Sequence, residues 1–327
     1  MGEQFDRQFT FLVAVNALIV VAALALVGPS YTSLFNFQSM GAQVPELGLL
    51  ALGVMLAMVS GNGGIDLSGI ALANLAGIVA ALLAPFIAPP DAAPLAYTWV
   101  FFGLALATGI AGGIVNGLLV GYAGLTPIIA TLGTQLLFTG IAVGLTGGSA
   151  QTLGFILPMD DFGNMPVLGV PLPFALFIAV AALLAIALRF SAFGKRLFLM
   201  GSNPVAAFYA GIPVRRMLFG TYLLSSILAG VAGFVIAART SSVKWDYGTS
   251  YVLIAILIVV MAGVRPSGGY GRVVCVVLSA IALQMLSSLF NFMGISNFFR
   301  DCAWGLLLLL FLASARIDLR PFMRVRA

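Results

Sequence analysis

Ten apolar segments, most of them about as long as a bilayer is thick, constrain this chain more than any other feature. They cover residues 11–28, 44–60, 69–88, 97–122, 126–146, 168–188, 216–238, 251–264, 273–293 and 302–315. A membrane-spanning helix needs about 20 mostly apolar residues, and only the eighth and tenth segments are clearly shorter. The sequence therefore predicts an all-α, polytopic membrane helix bundle of about ten transmembrane helices, formed as a single domain over residues 1–327.

The composition agrees with a membrane protein. Of 327 residues, 61% are hydrophobic and 8% are charged, whereas a soluble domain is roughly 25% charged. At this size a water-soluble fold cannot hide so much apolar surface. The chain also has no His, which excludes His-based catalysis and the common zinc-protease motifs. We therefore expect no catalytic residue, no metal site and no cofactor.

The positions of Lys and Arg predict the orientation, because positively charged short loops stay in the cytoplasm. With ten spans, twelve of the fifteen basic residues fall on the side of the N-terminus, and both termini are predicted to be cytoplasmic. The twelve are Arg7, Arg189, Lys195, Arg196, Arg215, Arg216, Arg265, Arg272, Arg316, Arg320, Arg324 and Arg326. Since these charges are spread over short loops, the basic balance does not indicate a nucleic-acid partner. The first segment is expected to be an uncleaved span rather than a signal peptide, because its 18 residues exceed the usual apolar core of about 7–15.

A break separates the second and third apolar segments. Residues 61–68 read Gly-Asn-Gly-Gly-Ile-Asp-Leu-Ser, and glycine lowers helix stability. Irregular backbone at membrane depth is tolerated only where protein or water satisfies its polar groups. The break is therefore either a tight turn or a segment that lines a cavity.

Polar side chains within the apolar segments are few, and at membrane depth such residues often mark a transport path. Neutral amides and hydroxyls can hydrogen-bond a polar solute without adding a charge. We expect the solute pathway to draw on Glu46, Asn62, Asp66, Asn116, Thr131, Gln135 and Gln284.

Several of these residues also have a structural interpretation. Glu46 is expected either to complement the dipole at the beginning of the second span or to line the outer vestibule. Asp66 can cap the third span. Asn116 and Gln284 lie in mid-span and can hydrogen-bond neighbouring helices. Runs of small residues in the fourth and seventh spans favour close helix packing.

The loop 189–216 is the most distinctive connection. Asn203-Pro204 is a favourable helix beginning, residues 205–210 can form a turn or two, and Gly211 ends it. A short capped helix with basic neighbours on the cytoplasmic side predicts a docking element. A plain connector is the alternative.

Five short motifs, in order, resemble those of a known family. They are Gly63–Ser68 (GGIDLS), Gly113–Gly117 (GIVNG), Thr126–Gly133 (TPIIATLG), the loop positions Gly194–Arg196, Gly201–Asn203, Ala206, Ala207, Gly211 and Ile212, and Gly268–Gly271 (GGYG). Over about residues 45–315 the chain resembles the permease subunits of ribose-type sugar ABC importers, in the branched-chain amino acid/ribose permease superfamily. It is about equally similar to autoinducer-2 and rhamnose-type permeases.

The resemblance implies a multi-pass protein of the bacterial inner membrane. Its implied partners are an ATP-binding ABC subunit, a second permease copy in a homo- or heterodimer, a periplasmic solute-binding protein and membrane lipid. The implied contact with the ATPase is the loop after the sixth span, at Gly194, Lys195, Arg196, Gly201, Asn203, Ala206, Ala207 and Gly211. Many members carry Glu at the position of Val252, so this chain represents a side branch of the family.

These observations predict a permease subunit that moves a small polyhydroxylated solute with energy from a separate ATPase. No Gly-Lys-Ser/Thr phosphate loop occurs in the sequence. The alternative is a stand-alone secondary transporter, which needs an ion-coupling carboxylate deep in a span, whereas Glu46 and Asp66 are expected near span ends. An intramembrane enzyme would need a nucleophile with a base or a metal.

Overall fold

The computed structural model describes residues 2–316, with side chains described at 7–296 and 298–313. It contains thirteen α-helices in this part of the chain, with a short 3₁₀ turn at Pro29–Thr32. The helices are α1 (Gly2–Leu26), α2 (Leu34–Val59), α3 (Gly69–Ile87), α4 (Pro94–Gly121), α5 (Pro127–Thr146), α6 (Leu157–Asn164), α7 (Leu172–Phe190), α8 (Ala192–Ser202), α9 (Pro204–Tyr209), α10 (Val214–Thr240), α11 (Tyr251–Met261), α12 (Val273–Phe292) and α13 (Asn297–Arg316).

The prediction of a polytopic helical bundle is confirmed, and each of the ten apolar segments lies on a helix. Within residues 2–316, eight helices are long and apolar enough to cross a membrane, namely α1 from Arg7 onward, α2, α3, α4, α5, α7, α10 and α12. The other two differ from a simple span. Helix α11 has only 11 residues, and α13 carries Arg300 and Asp301 near its beginning. The assignment of residues 1–327 to one domain stays a prediction.

Helices α2 and α10 form the centre of the bundle. Helix α10 packs against α4, α2 and α3, while α1 lies on α12, α7 on α2, and α13 on α11. Two short strand pairs join the loops at the other end from the break. They are β1 (Gln151–Thr152) with β4 (Ser242–Val243), and β2 (Pro166–Val167) with β3 (Val170–Pro171), both antiparallel.

The relative sidedness of the loops agrees with the predicted even number of spans. The turn after α2, the end of α8 and the loop 265–271 meet at one end of the bundle, where the Gly269 N–H donates to the Val59 carbonyl at 3.0 Å. The Gln8 amide donates to the Met261 carbonyl at the same end. Which end faces the cytoplasm stays a prediction, and the basic tail residues Arg320, Arg324 and Arg326 lie outside the described residues.

Glycines bring α4 and α10 into backbone contact, as the small-residue faces predict. A Cβ added at Gly109 would lie 2.7 Å from the Ser226 carbonyl oxygen and 3.0 Å from the Gly230 Cα. Gly103, on the same helix, has open space where its Cβ would stand. Packing in lipid depends on such close contacts because lipid tails provide no hydrophobic force between helices.

We therefore expect Gly109→Ala to lower the free energy of unfolding by about 1–3 kcal/mol, since overpacking forces the two backbones apart. Gly103→Ala is the matched control and should leave stability unchanged. Thermal unfolding of the purified protein in detergent measures both. Equal effects of the two substitutions would contradict the close α4–α10 contact.

Candidate solute pathway and coupling surface

The break after α2 is both a tight turn and a segment inside the bundle. Gly61, Asn62 and Gly63 all have positive φ, which turns the chain back on itself. Residues 65–68 then lead into the protein as irregular backbone, and Gly69 packs against Leu50. Since Leu50 lies nine residues before the end of α2, α3 begins roughly 14 Å inside the bundle.

A chain of hydrogen bonds holds this re-entrant segment. The Thr134 hydroxyl donates to Asn116 Oδ1 at 2.6 Å, and Asn116 Nδ2 donates to Ser68 Oγ at 2.8 Å. The Ser68 hydroxyl donates to Asp66 Oδ1 at 2.7 Å, and the Ser225 hydroxyl donates to Asp66 Oδ2 at 2.6 Å. All five residues are buried, so the network joins α4, α5 and α10 through the segment.

Thr131 completes the support of the same segment. Its hydroxyl accepts the Leu67 N–H at 3.1 Å, and its single proton faces the Pro127 carbonyl at 2.8 Å and the Ile65 carbonyl at 3.1 Å. The contact with Leu67 satisfies a backbone N–H that a helix would otherwise satisfy, as broken backbone at membrane depth requires. The expectation that Asp66 caps α3 is wrong in detail: Ser68 is the N-cap residue, and Asp66 bonds to its backbone N–H and hydroxyl.

Glu46 is the centre of a second buried cluster. Its Oε1 pairs with Arg239 Nε, and its Oε2 accepts hydrogen bonds from the hydroxyls of Tyr247 at 2.8 Å and Tyr251 at 3.2 Å. Arg239 Nη2 also donates to the Tyr247 hydroxyl at 2.8 Å. The cluster ties α2 to the end of α10 and to the beginning of α11.

The predicted dipole role of Glu46 is therefore wrong. Helix α2 begins at Leu34 rather than near residue 44, because Pro45 is accommodated inside the helix. Glu46 lies about 18 Å along the helix and is 1% exposed. The expectation that this carboxylate is near a span end is wrong for the same reason. It also does not hold for Asp66, which is 2% exposed in the segment inside the bundle and accepts a hydrogen bond from Ser225 on α10.

The connection 241–250 enters the bundle from the other side. Asn74 Nδ2 donates to the carbonyls of Trp245 at 3.1 Å and Tyr247 at 2.9 Å. Asn74 lies 13 residues before the end of α3, or about 20 Å below it. Helix α11 consequently begins deep in the protein, which explains its short length.

The beginnings of α3 and α11 lie on one small cavity. Gly69 and Tyr251 line it, together with Asp66 and Ser225, and its volume is about 10 Å³. Such a volume holds about one water molecule. Broken helices that meet near the midplane are a recurring arrangement at the substrate sites of membrane transporters.

A larger cavity lies above it, between α2, α11, α12 and α13. Its volume is about 310 Å³, and Gln284 and Gln43 form its polar wall, with Gln284 Nε2 donating to Gln43 Oε1 at 3.1 Å. The predicted interhelical hydrogen bond of Gln284 is confirmed by this pair. We call this space the outer cavity.

The structure brings some predicted pathway residues together and separates others. Asp66, Asn116 and Thr131 share one network, while Glu46 and Gln284 lie on the outer-cavity side. Asn62 is exposed at the tip of the turn, and Gln135 is half-buried on α5, outside the network. Sequence reasoning missed Arg239, Tyr247 and Tyr251. A lone Glu in an apolar segment was a signal that a basic partner had to exist.

Three glycine-bearing segments meet at the end of the bundle where the break lies. A Cβ at Gly61 would lie 3.1 Å from the Gly201 Cα, and one at Gly268 would lie 2.7 Å from the Gly201 carbonyl oxygen. A Cβ at Gly201 would collide with the Val59 carbonyl oxygen and the Gly269 nitrogen. The end of α8 is thus wedged directly against the turn that leads into the re-entrant segment.

The predicted short helix is confirmed as α9. Asn203 Oδ1 accepts the Ala206 N–H at 2.9 Å, Pro204 is its first residue, and Gly211 follows it with φ 73°. The preceding α8, which Ser191 caps, was not predicted. We call α8 and α9 the helix pair.

The helix pair presents an exposed surface. Gly194, Gly201 and Ala207 are buried, whereas Lys195, Arg196 and Ala206 are exposed. Four large apolar side chains are also exposed there, namely Leu199, Val205, Phe208 and Tyr209. Aromatic residues flanked by Arg are enriched at protein interfaces.

A bundle of apolar helices with two broken helices meeting inside it defines a membrane transport protein of the permease class. The chain belongs to the family described as the branched-chain amino acid transport system / permease component, whose model matches residues 36–314. It is a multi-pass transmembrane permease.

The relatives include permeases of two importers. The chain is 33% identical to the ribose import permease protein RbsC of Bacillus subtilis over 294 residues, which cover 89% of this chain and 88% of RbsC. It is 33% identical over 206 residues to the autoinducer 2 import system permease protein LsrD of Photorhabdus temperata, with 62% of each chain covered. LsrD of Escherichia coli K12 is 29% identical over 206 residues. No solved structure matches the chain.

Proposed function

We propose that this permease is the membrane subunit of an ATP-driven importer in the bacterial inner membrane. In this proposal it pairs with a second permease copy and receives a small polyhydroxylated solute from a periplasmic solute-binding protein. A separate ATP-binding subunit docks on the helix pair. The names of the relatives, which concern ribose and autoinducer 2, support this class of solute.

The wedged position of α8 is the observation that carries the proposal. An ATPase that binds the exposed side chains of Phe208 and Tyr209 moves the helix pair when it closes. Gly201 transmits that motion to the turn at Gly61 and to the loop at Gly269, because their backbones are in contact. The turn continues into the segment that carries Asp66, so closure of the ATPase reaches the polar network directly.

The alternative is a secondary transporter, and the depth of Glu46 bears on it. A carboxylate in mid-span fits an ion-coupling site. However, Glu46 is paired with Arg239 and accepts bonds from Tyr247 and Tyr251, so its charge is already compensated. The geometry therefore supports a structural role for Glu46 as an internal anchor between α2, α10 and α11.

Whole-cell uptake distinguishes the two functions. Cells that express the permease with its ATPase and binding protein should take up the solute. Replacement of the phosphate-loop lysine of the ATPase should abolish that uptake. Uptake that survives this change and collapses with the proton or sodium gradient would favour the secondary transporter.

A further inference from the structure

The outer cavity has the size and the opening of a small-molecule site. Its volume of about 310 Å³ falls in the range of roughly 300–1,000 Å³ that ligand pockets occupy. It runs from the exposed Thr249 and Asp301 down to the buried Gln284 and Trp304. A solute that arrives at the strand-bearing end of the bundle therefore has a way in without any rearrangement.

The groups around the outer cavity suit a neutral, hydroxyl-rich solute. Gln43 and Gln284 supply amide donors and acceptors, Ser287 supplies a hydroxyl, and Trp304 supplies an aromatic side chain. Arg300 and Asp301 contribute opposite charges, so the cavity favours neither an anion nor a cation.

A neighbouring crevice of similar volume has mostly apolar walls, unlike the outer cavity. It has a volume of about 280 Å³ and lies on the other side of Gln284. Its walls are mostly apolar, with Phe37, Val44, Phe174 and Met285 among them. The polar groups are thus gathered on one side of the Gln43–Gln284 pair.

Tyr251 closes the bottom of the outer cavity. It lines both this cavity and the water-sized cavity that reaches Asp66 and Ser225. Its hydroxyl is held by Glu46, and its ring lies against Gly248, where a Cβ would be 2.8 Å from the ring. Tyr251 is the residue that the linings of the two cavities share.

We propose that the outer cavity binds the neutral polyhydroxylated solute within a single permease subunit, with Tyr251 as its closed floor. The inference rests on the proposed function for the class of solute. It goes further in placing that solute among Gln43, Gln284, Ser287 and Trp304 rather than in the Asp66 network.

A whole-cell uptake assay tests the inference. Cells that express the whole importer are given radiolabelled D-ribose, D-xylose, L-rhamnose or glycerol. Ser287→Trp fills the cavity and should lower uptake of the transported compound at least tenfold. Met293→Trp is the matched control, because Met293 is exposed on the turn after α12 and does not line the cavity. Membrane abundance is measured for both variants.

A second variant separates binding from folding. Gln43→Leu/Gln284→Leu removes both partners of one hydrogen bond, so no amide is left unsatisfied. It should raise the KM for uptake at least tenfold and change the maximal rate little. Normal KM in this variant, or normal uptake by Ser287→Trp, would overturn the outer cavity as the site. Wild-type cells that take up none of the four compounds would instead contradict the proposed function and its solute.

Discussion

Arg239→Leu should lower the stability of this permease by about 3–5 kcal/mol, because it leaves the Glu46 carboxylate buried without its cation. Glu46 is 1% exposed in the ion pair. The tyrosine hydroxyls of Tyr247 and Tyr251 donate to the carboxylate but do not neutralise it. Thermal unfolding of the purified protein in detergent measures the loss.

A second ion pair, in the connection that follows α10, provides the control. Lys244 and Asp246 lie 3.0 Å apart, and their side chains are 49% and 29% exposed. Because both side chains are partly exposed, water screens this pair more than it screens the Glu46–Arg239 pair, so Lys244→Leu should lower stability by less than Arg239→Leu does. The double variant Glu46→Leu/Arg239→Leu should regain most of the loss, since it removes both charges of the pair together. A double variant as unstable as Arg239→Leu would show that the cluster stabilises the protein in another way.

Ala206→Arg should abolish uptake while the permease remains folded in the membrane. Ala206 is exposed on α9 between Val205 and the aromatic pair Phe208 and Tyr209, and its side chain makes no contact that the helix needs. In the proposed complex, a long cationic side chain on this surface would keep the ATPase from docking. We expect at least a tenfold loss of uptake and an equal loss of ATPase co-purification with the tagged permease.

Ala123→Arg is the matched control for this prediction. Ala123 is exposed in the turn between α4 and α5 at the same end of the bundle, so the variant adds the same charge away from the helix pair. Gly201→Asp is a poorer test, because a Cβ at Gly201 collides with backbone atoms and disturbs the fold. Full uptake by Ala206→Arg would remove the helix pair as the docking surface.

The local features of this fold could be predicted because their causes are local. Each of the ten apolar segments lies on a helix, and eight of these helices in the described part of the chain are long enough to cross a membrane. Gly61–Gly64 predicted the break. Asn203-Pro204 and Gly211 predicted α9, because a cap, a first-turn proline and a terminal glycine act within one or two turns. The resemblance in five short motifs predicted the family.

The features that the sequence did not predict depend on contacts between distant residues. The partner of Glu46 is Arg239, which lies 193 positions away, and no pattern in either segment fixes that distance. The first residue of α11 agrees with the predicted eighth segment, which began at residue 251. The depth at which α11 begins was not predicted, because it depends on Asn74, 171 positions from Trp245. The span boundaries near Pro45 failed because a proline usually ends a helix, whereas here α2 continues through it.

The glycines also show that sequence alone does not reveal contacts between distant residues. Gly109 meets the backbone of α10, while Gly140 and Gly144 on α5 have open space where a Cβ would stand. The sequence shows small residues in both places. Only the packed structure separates a glycine needed for a helix contact from one that leaves a surface open.

Uptake by purified components in proteoliposomes tests the central claim most directly. The permease, its ATPase and its binding protein are reconstituted with radiolabelled sugar outside and ATP on the side of the helix pair. We predict sugar accumulation that requires ATP and is lost when the ATPase is omitted. Accumulation by the permease alone, driven by an imposed ion gradient, would contradict the assignment as a subunit of an ATP-driven importer.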